Sequence, residues 1–256
     1  MLLAIDIGNT NIVLGVFEGD ELVRSWRVST RKDQTADEYG VFLRNLFQLD
    51  GVDTAGIDNI AICSVVPPLN EPFSRMARFY FKHKPSFVDP VRQNLMPVLY
   101  KPASDVGADR IVNAVAVQRR LGTPAVVVDF GTATTFDAVS RQGEYLGGVI
   151  APGVGISAEA LFARASRLPR VEIRRPAQVI GQSTVNSIQS GIYYGYLGLV
   201  DGILARMSEE LGGARVVATG GLAPLLKEES QRIESVEPDL TLYGLKYFQD
   251  SGNLVG

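Results

Sequence analysis

Apolar and polar positions alternate from the first residues of the chain. Residues 2–7, 12–17 and 21–29 each show the two-residue period that is typical of a half-buried β-strand. The connections are GNTN at 8–11 and Glu18–Gly19–Asp20, where the glycine suits a tight turn. The pattern predicts a three-stranded antiparallel meander at the start of the chain.

Helices and strands then alternate to the end of the first half. Apolar residues at helical spacing predict a helix over 36–47, a strand follows within 57–66, and a second helix covers 73–81 after a pair of prolines. A short strand over 86–90 completes this half.

The second half repeats this plan. A helix over 104–121 comes first, and a new three-strand pattern follows it, with Arg141–Gln142–Gly143 as its second turn. The predicted strands are 126–130, 134–140, 144–152 and 215–219; the predicted helices are 154–165, 184–211 and 222–230; and 240–250 is predicted as a short strand followed by a helix. The chain is therefore expected to contain two copies of one α/β domain that share a cleft.

The composition is that of an ordinary globular protein. Of 256 residues, 46% are hydrophobic and 21% charged, and no apolar run approaches the roughly 20 residues that cross a bilayer. The net charge of −3 and the scattered basic residues disfavour a nucleic-acid partner. A single cysteine, Cys63, and a strand at the very start favour a cytoplasmic protein over a secreted one. With one histidine, His83, any metal is expected on oxygen ligands.

The first strand ends in Asp6-Ile7-Gly8-Asn9-Thr10. Gly8 lets a polyanion approach the backbone of this turn, and Asn9 and Thr10 add side-chain donors. Asp6 would repel a phosphate, so we interpret it as a magnesium ligand that acts through water. A polar hairpin whose side chains only satisfy the turn is the alternative for one such copy.

A second strand-turn of the same kind favours the phosphate-binding interpretation over a merely polar hairpin. Residues 129–135 read DFGTATT and supply another carboxylate, another glycine and several hydroxyls after a strand. Two such turns that face one cleft could hold a triphosphate and its cations. The chain has neither a P-loop motif nor the glycine fingerprint of a dinucleotide-binding fold.

Asp109 opens a predicted helix in the stretch DVGADR at 105–110. Ser104 or Asp105 is the expected N-cap, and Asp109 would then only favour the positive end of the helix dipole. Beside two phosphate turns, we favour a carboxylate that accepts a hydroxyl proton, with Arg110 able to grip an anionic group.

The doubled acidic turn resembles the superfamily of acetate and sugar kinases, actin and heat-shock chaperone ATPases. In that superfamily two ribonuclease-H-like domains clasp ATP, and a glycine pair such as Gly220–Gly221 contacts the adenosine. The resemblance implies an α/β fold of two actin-like ATPase domains, residues 1–110 and 111–256, each a mixed sheet with flanking helices.

Five motifs in order narrow the resemblance to the type III pantothenate kinases. They are DIGNT, GADR, D-x-GTATT, GG-x-I-x-PG (Gly147 to Gly153) and TGG, and they extend from residue 4 to about residue 221. Membership implies transfer of a phosphoryl group from ATP to the 4′-hydroxyl of pantothenate, the first step towards coenzyme A. It also implies ATP with Mg²⁺, a monovalent cation such as K⁺ or NH4⁺, and a homodimer.

The resemblance also implies residue roles. Asp109 is the proton acceptor, Asp129 binds the monovalent cation, and Thr184 reaches substrate from the neighbouring subunit. The implied ATP-binding residues are Asp6, Ile7, Gly8, Asn9, Thr10, Asn11, Ile12, Val13 and Thr132, and the implied pantothenate-binding residues are Tyr100, Gly107, Ala108, Asp109, Arg110 and Thr184. Position 13 is valine where some relatives carry a polar or basic residue, which leaves no polar side-chain role there.

Three other functions stay open at this point. A kinase of the same fold could act on a sugar, although this chain is short for the insertions that cover a polyol. A regulator of transcription without catalysis is the second, and intact Asp6, Asp109 and Asp129 argue against it. An actin-like or chaperone-like ATP switch is the third, and it fits poorly without a peptide-binding domain or filament insert.

Four glycines share one face of the long predicted helix. Gly191, Gly195, Gly198 and Gly202 are spaced at i, i+4, i+7 and i+11, and each costs roughly 1 kcal/mol relative to alanine. Close packing against the helix's own sheet and a dimer contact both explain such a stripe. Because Thr184 begins this helix, we expect it near the dimer interface.

Overall fold

The computed structural model of the protein describes residues 1–252 and 254–255, the last two as backbone only. The chain forms two compact units: residues 1–116 together with the C-terminal helix and strand, and residues 117–239. The elements are β1 (Leu2–Ile7), β2 (Asn11–Glu18), β3 (Glu21–Ser29), α1 (Ala36–Leu49), β4 (Asn59–Ser64), α2 (Asn70–Met76), β5 (Ser86–Val88), α3 (Ala108–Leu121), β6 (Ala125–Phe130), β7 (Ala133–Val139), β8 (Tyr145–Pro152), α4 (Val154–Arg164), α5 (Thr184–Glu210), β9 (Arg215–Gly220), α6 (Ala223–Lys227), β10 (Ser235–Val236), α7 (Leu240–Asp250) and β11 (Leu254–Val255).

The first unit is built on a mixed sheet with the strand order β11-β5-β4-β1-β2-β3. The predicted meander is confirmed, because β1, β2 and β3 pair antiparallel in sequence and β4 returns parallel to β1. Gly19 has a φ of 58° in the second turn, a left-handed value that a residue with a Cβ rarely adopts.

Helices α1 and α2 cover one face of this sheet. A capping box fixes the start of α1, since Thr35 and Glu38 bond each other's backbone amides. The buried side of α1 presents Tyr39, Leu43 and Phe47 to the core. Full burial of one such side chain contributes about 1.5–3 kcal/mol, so this stripe holds the helix on the sheet.

The second unit repeats the connectivity with the strand order β10-β9-β6-β7-β8. Strands β6, β7 and β8 pair antiparallel, and β9 returns parallel to β6 as β4 does to β1. Tyr193, Val200 and Leu204 of α5 are buried in the core of this unit. The predicted duplication of an α/β plan with mixed sheets is confirmed.

The glycine face of α5 lies away from that core. A Cβ added to Gly191, Gly195 or Gly198 would meet nothing within 4 Å, and all three residues are exposed. The explanation that the glycine stripe packs against the helix's own sheet is therefore wrong.

Two local predictions differ from the structure. Helix α3 begins at Ala108, and Ser104 and Asp105 lie before it in a separate 3-10 turn, so neither of them is its N-cap. The sequence of α7 begins with an alternating LTLY that favours a strand, yet Leu240–Asp250 is one helix. Helical spacing buries Leu242, Leu245 and Phe248 together, and this burial outweighs the local β preference.

Helix α7 also changes how the chain is divided. It groups with the first unit, whereas the sequence-based division assigned everything after residue 110 to the second. The backbone of Gly244 approaches Val112 so closely that a Cβ would collide with it. A contact between residues far apart in sequence thus places the end of the chain in the first unit, and no local sequence pattern predicts such a contact.

Among residues 1–252 and 254–255, no helix combines the length and the apolar character that crossing a membrane requires.

Candidate active site

The turn between β1 and β2 is held in one shape by short hydrogen bonds. The Gly8 amide donates to the Asn11 carbonyl at 3.0 Å, and the Thr30 hydroxyl donates to the Gly8 carbonyl at 2.6 Å. A Cβ on Gly8 would lie 2.9 Å from the Asn11 carbonyl oxygen, so glycine keeps this turn tight. Asn9 and Thr10 at its tip are exposed, and Lys32 donates a hydrogen bond to Asn9 Oδ1 at 3.4 Å.

The predicted ATP-binding residues on either side of this tip have different environments. Ile7 and Ile12 are fully buried in the core of the first unit, so only their backbone atoms can reach a ligand. Val13 is partly exposed and pairs with Asp6 across the sheet, so its side chain lies on the same face as that carboxylate.

The charges of Asp6 and Asp109 both act on the buried thiol of Cys63. Asp6 pairs with Cys63 on the neighbouring strand β4, and Cys63 is fully buried. Burial raises the pKa of the Cys63 thiol well above its ordinary value, and the charges of Asp6 and Asp109 raise it further. Two carboxylates that were predicted from separate sequence motifs therefore both influence the pKa of the same thiol in the first unit.

The Asp109 carboxylate occupies space that Gly107 leaves open. A Cβ on Gly107 would lie 2.5 Å from Asp109 Oδ1, and that oxygen accepts the Arg110 amide hydrogen at 2.8 Å. Burial raises the pKa of Asp109, while the Arg110 amide and guanidinium oppose the rise. A carboxylate with a raised pKa holds a proton more firmly, which suits a general base.

The other residues of the predicted pantothenate group lie close by in the chain. Ala108 and Arg110 are both 7% exposed, and Tyr100 is partly exposed in the loop that precedes α3. Asp109 lies in the first turn of α3, as predicted.

In the second unit, Asp129 ends β6 beside two glycines. Gly220 has a φ of 89°, and a Cβ there would lie 2.6 Å from both Asp129 Oδ1 and the Phe130 carbonyl oxygen. Gly131 is next, where a Cβ would lie 3.8 Å from Asp129 Oδ1. Carboxylate and carbonyl oxygens that converge in this way form a donor set that suits a hard cation such as K⁺ or Mg²⁺.

Thr132 lies in the turn that follows Asp129. A Cβ on Gly153 would collide with the carbonyl oxygen of Thr132 and approach that of Gly131 to 2.8 Å. The glycine of the predicted GG-x-I-x-PG motif thus has a packing role: it lets the chain after β8 lie against this turn.

Thr184 is exposed at the first position of α5. It lines an open groove of about 720 Å³ with apolar residues of α4 and α5, including Leu161, Ile188 and Ile192. The Ser183 hydroxyl accepts the Asn186 amide hydrogen and caps the helix. Within its own unit, Thr184 therefore belongs to this groove.

The predicted site residues divide between the two units. The first unit carries Asp6, the Gly8–Asn11 turn, Tyr100 and residues 107–110, and the second carries Asp129, Thr132 and Thr184. Among residues 1–252 and 254–255, no three His, Cys, Asp or Glu side chains form a metal-ligating group.

Sequence reasoning missed the polar side chains around Asp129. Thr135 opposes Asp129 across the sheet, and Asp137 and Tyr145 are fully buried behind it. The available signal was an aspartate in the middle of the β7 strand TTFDAV, where an apolar residue is expected.

Solved structures support the fold. A Campylobacter jejuni protein described as a Baf family transcriptional activator superposes with a TM-score of 0.61 at 20% identity, over 98% of this chain and 100% of that one. The inorganic polyphosphate/ATP-glucomannokinase of Arthrobacter sp. strain KM gives a TM-score of 0.53 at 12% identity, over 98% of both chains. At these identities the likeness concerns the fold alone, which is that of the actin-like ATPases and sugar kinases.

Sequence relatives are much nearer. The type III pantothenate kinase of Koribacter versatilis is 56% identical over 96% of this chain and 94% of its own length, and that of Myxococcus xanthus is 56% identical over 96% of both. The family profile described as type III pantothenate kinase matches residues 2–206. The chain belongs to the type III pantothenate kinase family.

Proposed function

We propose that this protein transfers the γ-phosphoryl group of ATP to the 4′-hydroxyl of pantothenate, with Asp109 as the general base. The observation that carries the proposal is the Asp109 carboxylate at the start of α3, whose pKa is raised by burial and whose charge, like that of Asp6, acts on the Cys63 thiol. In the reaction, Asp109 accepts the hydroxyl proton, the hydroxyl oxygen attacks the γ-phosphorus, and the bond to the β–γ bridging oxygen breaks to release ADP.

The first unit supplies the groups that orient both substrates. The exposed Gly8–Asn11 turn would receive the phosphates through backbone and side-chain donors, and Asp6 would hold Mg²⁺ through water. Arg110 would bind the pantothenate carboxylate with its guanidinium, and Tyr100, Gly107 and Ala108 would line the same subsite. Positioning and charge neutralisation supply most of the acceleration in phosphoryl transfer.

The second unit contributes through Asp129 and Thr132. The oxygen donors beside Gly220 fit a monovalent cation, K⁺ or NH4⁺, and that cation would offset negative charge near the phosphates. Thr132 lies three residues after Asp129, and its turn would contact ATP.

A homodimer formed along α5 is also part of the proposal. The glycine face of this helix is exposed and open, and Ile156, Leu161 and Val185 on α4 and α5 are large hydrophobic residues that remain 48%, 38% and 39% exposed. Apolar surface of this kind favours burial against a second chain. Thr184, at the start of α5, would then reach the substrate of the partner subunit.

Replacing Asp109 with asparagine tests the general base. The variant Asp109→Asn is expected to lower kcat for pantothenate phosphorylation about 10²–10⁴-fold, because the hydroxyl loses its proton acceptor. The affinity for ATP should stay close to that of the wild type. Asp105→Asn removes an equal charge from the exposed 3-10 turn nearby and should leave kcat unchanged. Wild-type turnover in Asp109→Asn would contradict the assignment.

The raised pKa of Asp109 also predicts how stability depends on pH. Ionising this carboxyl costs more in the folded protein than in the unfolded chain, so its stabilising contribution exists below the unfolded pKa and is lost as pH rises through the folded one. Asp109→Asn should therefore have a higher Tm than the wild type at pH 7, and the difference should shrink as pH falls towards 3. Calorimetry across this range checks it; a lower Tm at pH 7 would show that the charge is stabilised instead.

The dimer proposal predicts that α5 does not tolerate a large residue on its glycine face. Gly195→Leu should shift the protein towards the monomer mass in gel filtration with light scattering, because the added side chain blocks close approach of a second helix. Arg44→Leu, at an exposed position of α1, adds a leucine away from α5 and should leave the mass unchanged. An intact dimer in Gly195→Leu would place the contact elsewhere.

A further inference from the structure

The two units place an aspartate at equivalent positions of equivalent sheets, so each serves as a reference for the other. In the first unit Asp6 on β1 opposes Val13 on β2 and Cys63 on β4. One step back along β2 on the same face stands Gly15, opposite Ala4. Since opposed residues share a face, the neighbours of Asp6 on these strands are an aliphatic side chain, a thiol and a glycine.

In the second unit, side chains that carry oxygen atoms occupy the equivalent positions. Asp129 on β6 opposes Thr135 on β7 and Thr219 on β9. One step back along β7 on the same face stands Asp137, opposite Val127. Hydroxyls therefore flank Asp129 on both sides, and a second carboxylate lies behind one of them.

That second carboxylate is enclosed and hydrogen-bonded. Asp137 and Tyr145 are both 0% exposed, and the Tyr145 hydroxyl donates to Asp137 Oδ1 at 2.7 Å. The Thr135 hydroxyl donates to Asp137 Oδ2 at 3.4 Å. Burying a carboxylate is costly even when it is bonded, and the first unit shows that this fold needs no polar group at the position. The sheet plan that the two units share therefore does not by itself explain a carboxylate at Asp137.

We propose that Asp137 and Tyr145 act as a positioning pair for the cation site of Asp129. Tyr145 fixes the Asp137 carboxylate, and Asp137 accepts the hydroxyl hydrogen of Thr135. The lone pairs of the Thr135 oxygen are then left to face a cation beside Asp129. Outer hydrogen bonds of this kind orient first ligands and set the affinity of a metal site. The inference rests on the proposed binding of a monovalent cation at Asp129.

The test compares the variant Tyr145→Phe with Tyr193→Phe as a matched control. Tyr193 is a buried tyrosine of the same unit, on helix α5, whose hydroxyl donates to the Leu225 carbonyl at 3.4 Å. The rise of Tm with KCl is measured against choline chloride at constant ionic strength. The K⁺ concentration for half-maximal activity is measured in parallel, with the KM for pantothenate.

Tyr145→Phe is expected to raise the half-saturating K⁺ concentration about tenfold in both measurements, with kcat at saturating K⁺ and the KM for pantothenate near wild type. Thr135→Val should raise it at least as much. The double variant should match Thr135→Val alone, because Tyr145 acts through Asp137 and Thr135. Tyr193→Phe should lower Tm without changing the response to K⁺.

Two other outcomes separate this inference from the function on which it rests. If K⁺ raises the Tm of the wild type but not of Asp129→Asn, and Tyr145→Phe responds as the wild type does, the cation site stands and the positioning pair is refuted. If K⁺ affects neither the Tm nor the activity of the wild type, both the cation site and the positioning pair are refuted.

Discussion

The structure depends on the close approach of carboxylates to glycine backbone. Asp109 Oδ1 and Asp129 Oδ1 each lie where a Cβ on the neighbouring Gly107 or Gly220 would be within 2.6 Å. Any side chain at those glycines would push the carboxylate out of place. The charged groups that we assign to catalysis and cation binding thus keep their positions because the glycines beside them have no side chain. In the GADR motif the glycine, Gly107, lies two residues before Asp109. In the TGG motif the glycine, Gly220, lies on the strand next to that of Asp129.

Duplication of one sheet plan places an acid at the same strand position in each unit, Asp6 in the first and Asp129 in the second, with different surroundings. Asp6 pairs with the buried thiol of Cys63, whereas Asp129 is flanked by hydroxyls. An apolar neighbourhood raises the cost of charge, which suits the role of proton acceptor that we propose for Asp109. A row of oxygen atoms suits a cation. In the mechanism that we propose, one fold repeated within a chain would support proton transfer in one copy and charge neutralisation in the other.

Most strands and two of the candidate site residues could be predicted from the sequence, because the patterns that indicate them are local. Alternation located β1 to β3 and β6 to β8, and strand-turn motifs located Asp6 and Asp129. The signals failed where distant segments decide the outcome. The LTLY start of α7 is locally strand-like but packs as a helix, and Cys63 looks like an ordinary core residue until β4 is paired with β1. The open side of the α5 glycines also depends on which face packs inward, which spacing alone leaves undecided.

We propose that these carboxylates serve phosphoryl transfer to one small alcohol. The most direct test of this proposal is the release of ADP by the purified protein in Mg-ATP and KCl, with and without pantothenate, alongside mass spectrometry of the acceptor. We expect ADP release to require pantothenate and to match the 4′-phosphopantothenate formed one to one. ADP release that is indifferent to pantothenate, or equal with a sugar in its place, would contradict the proposal.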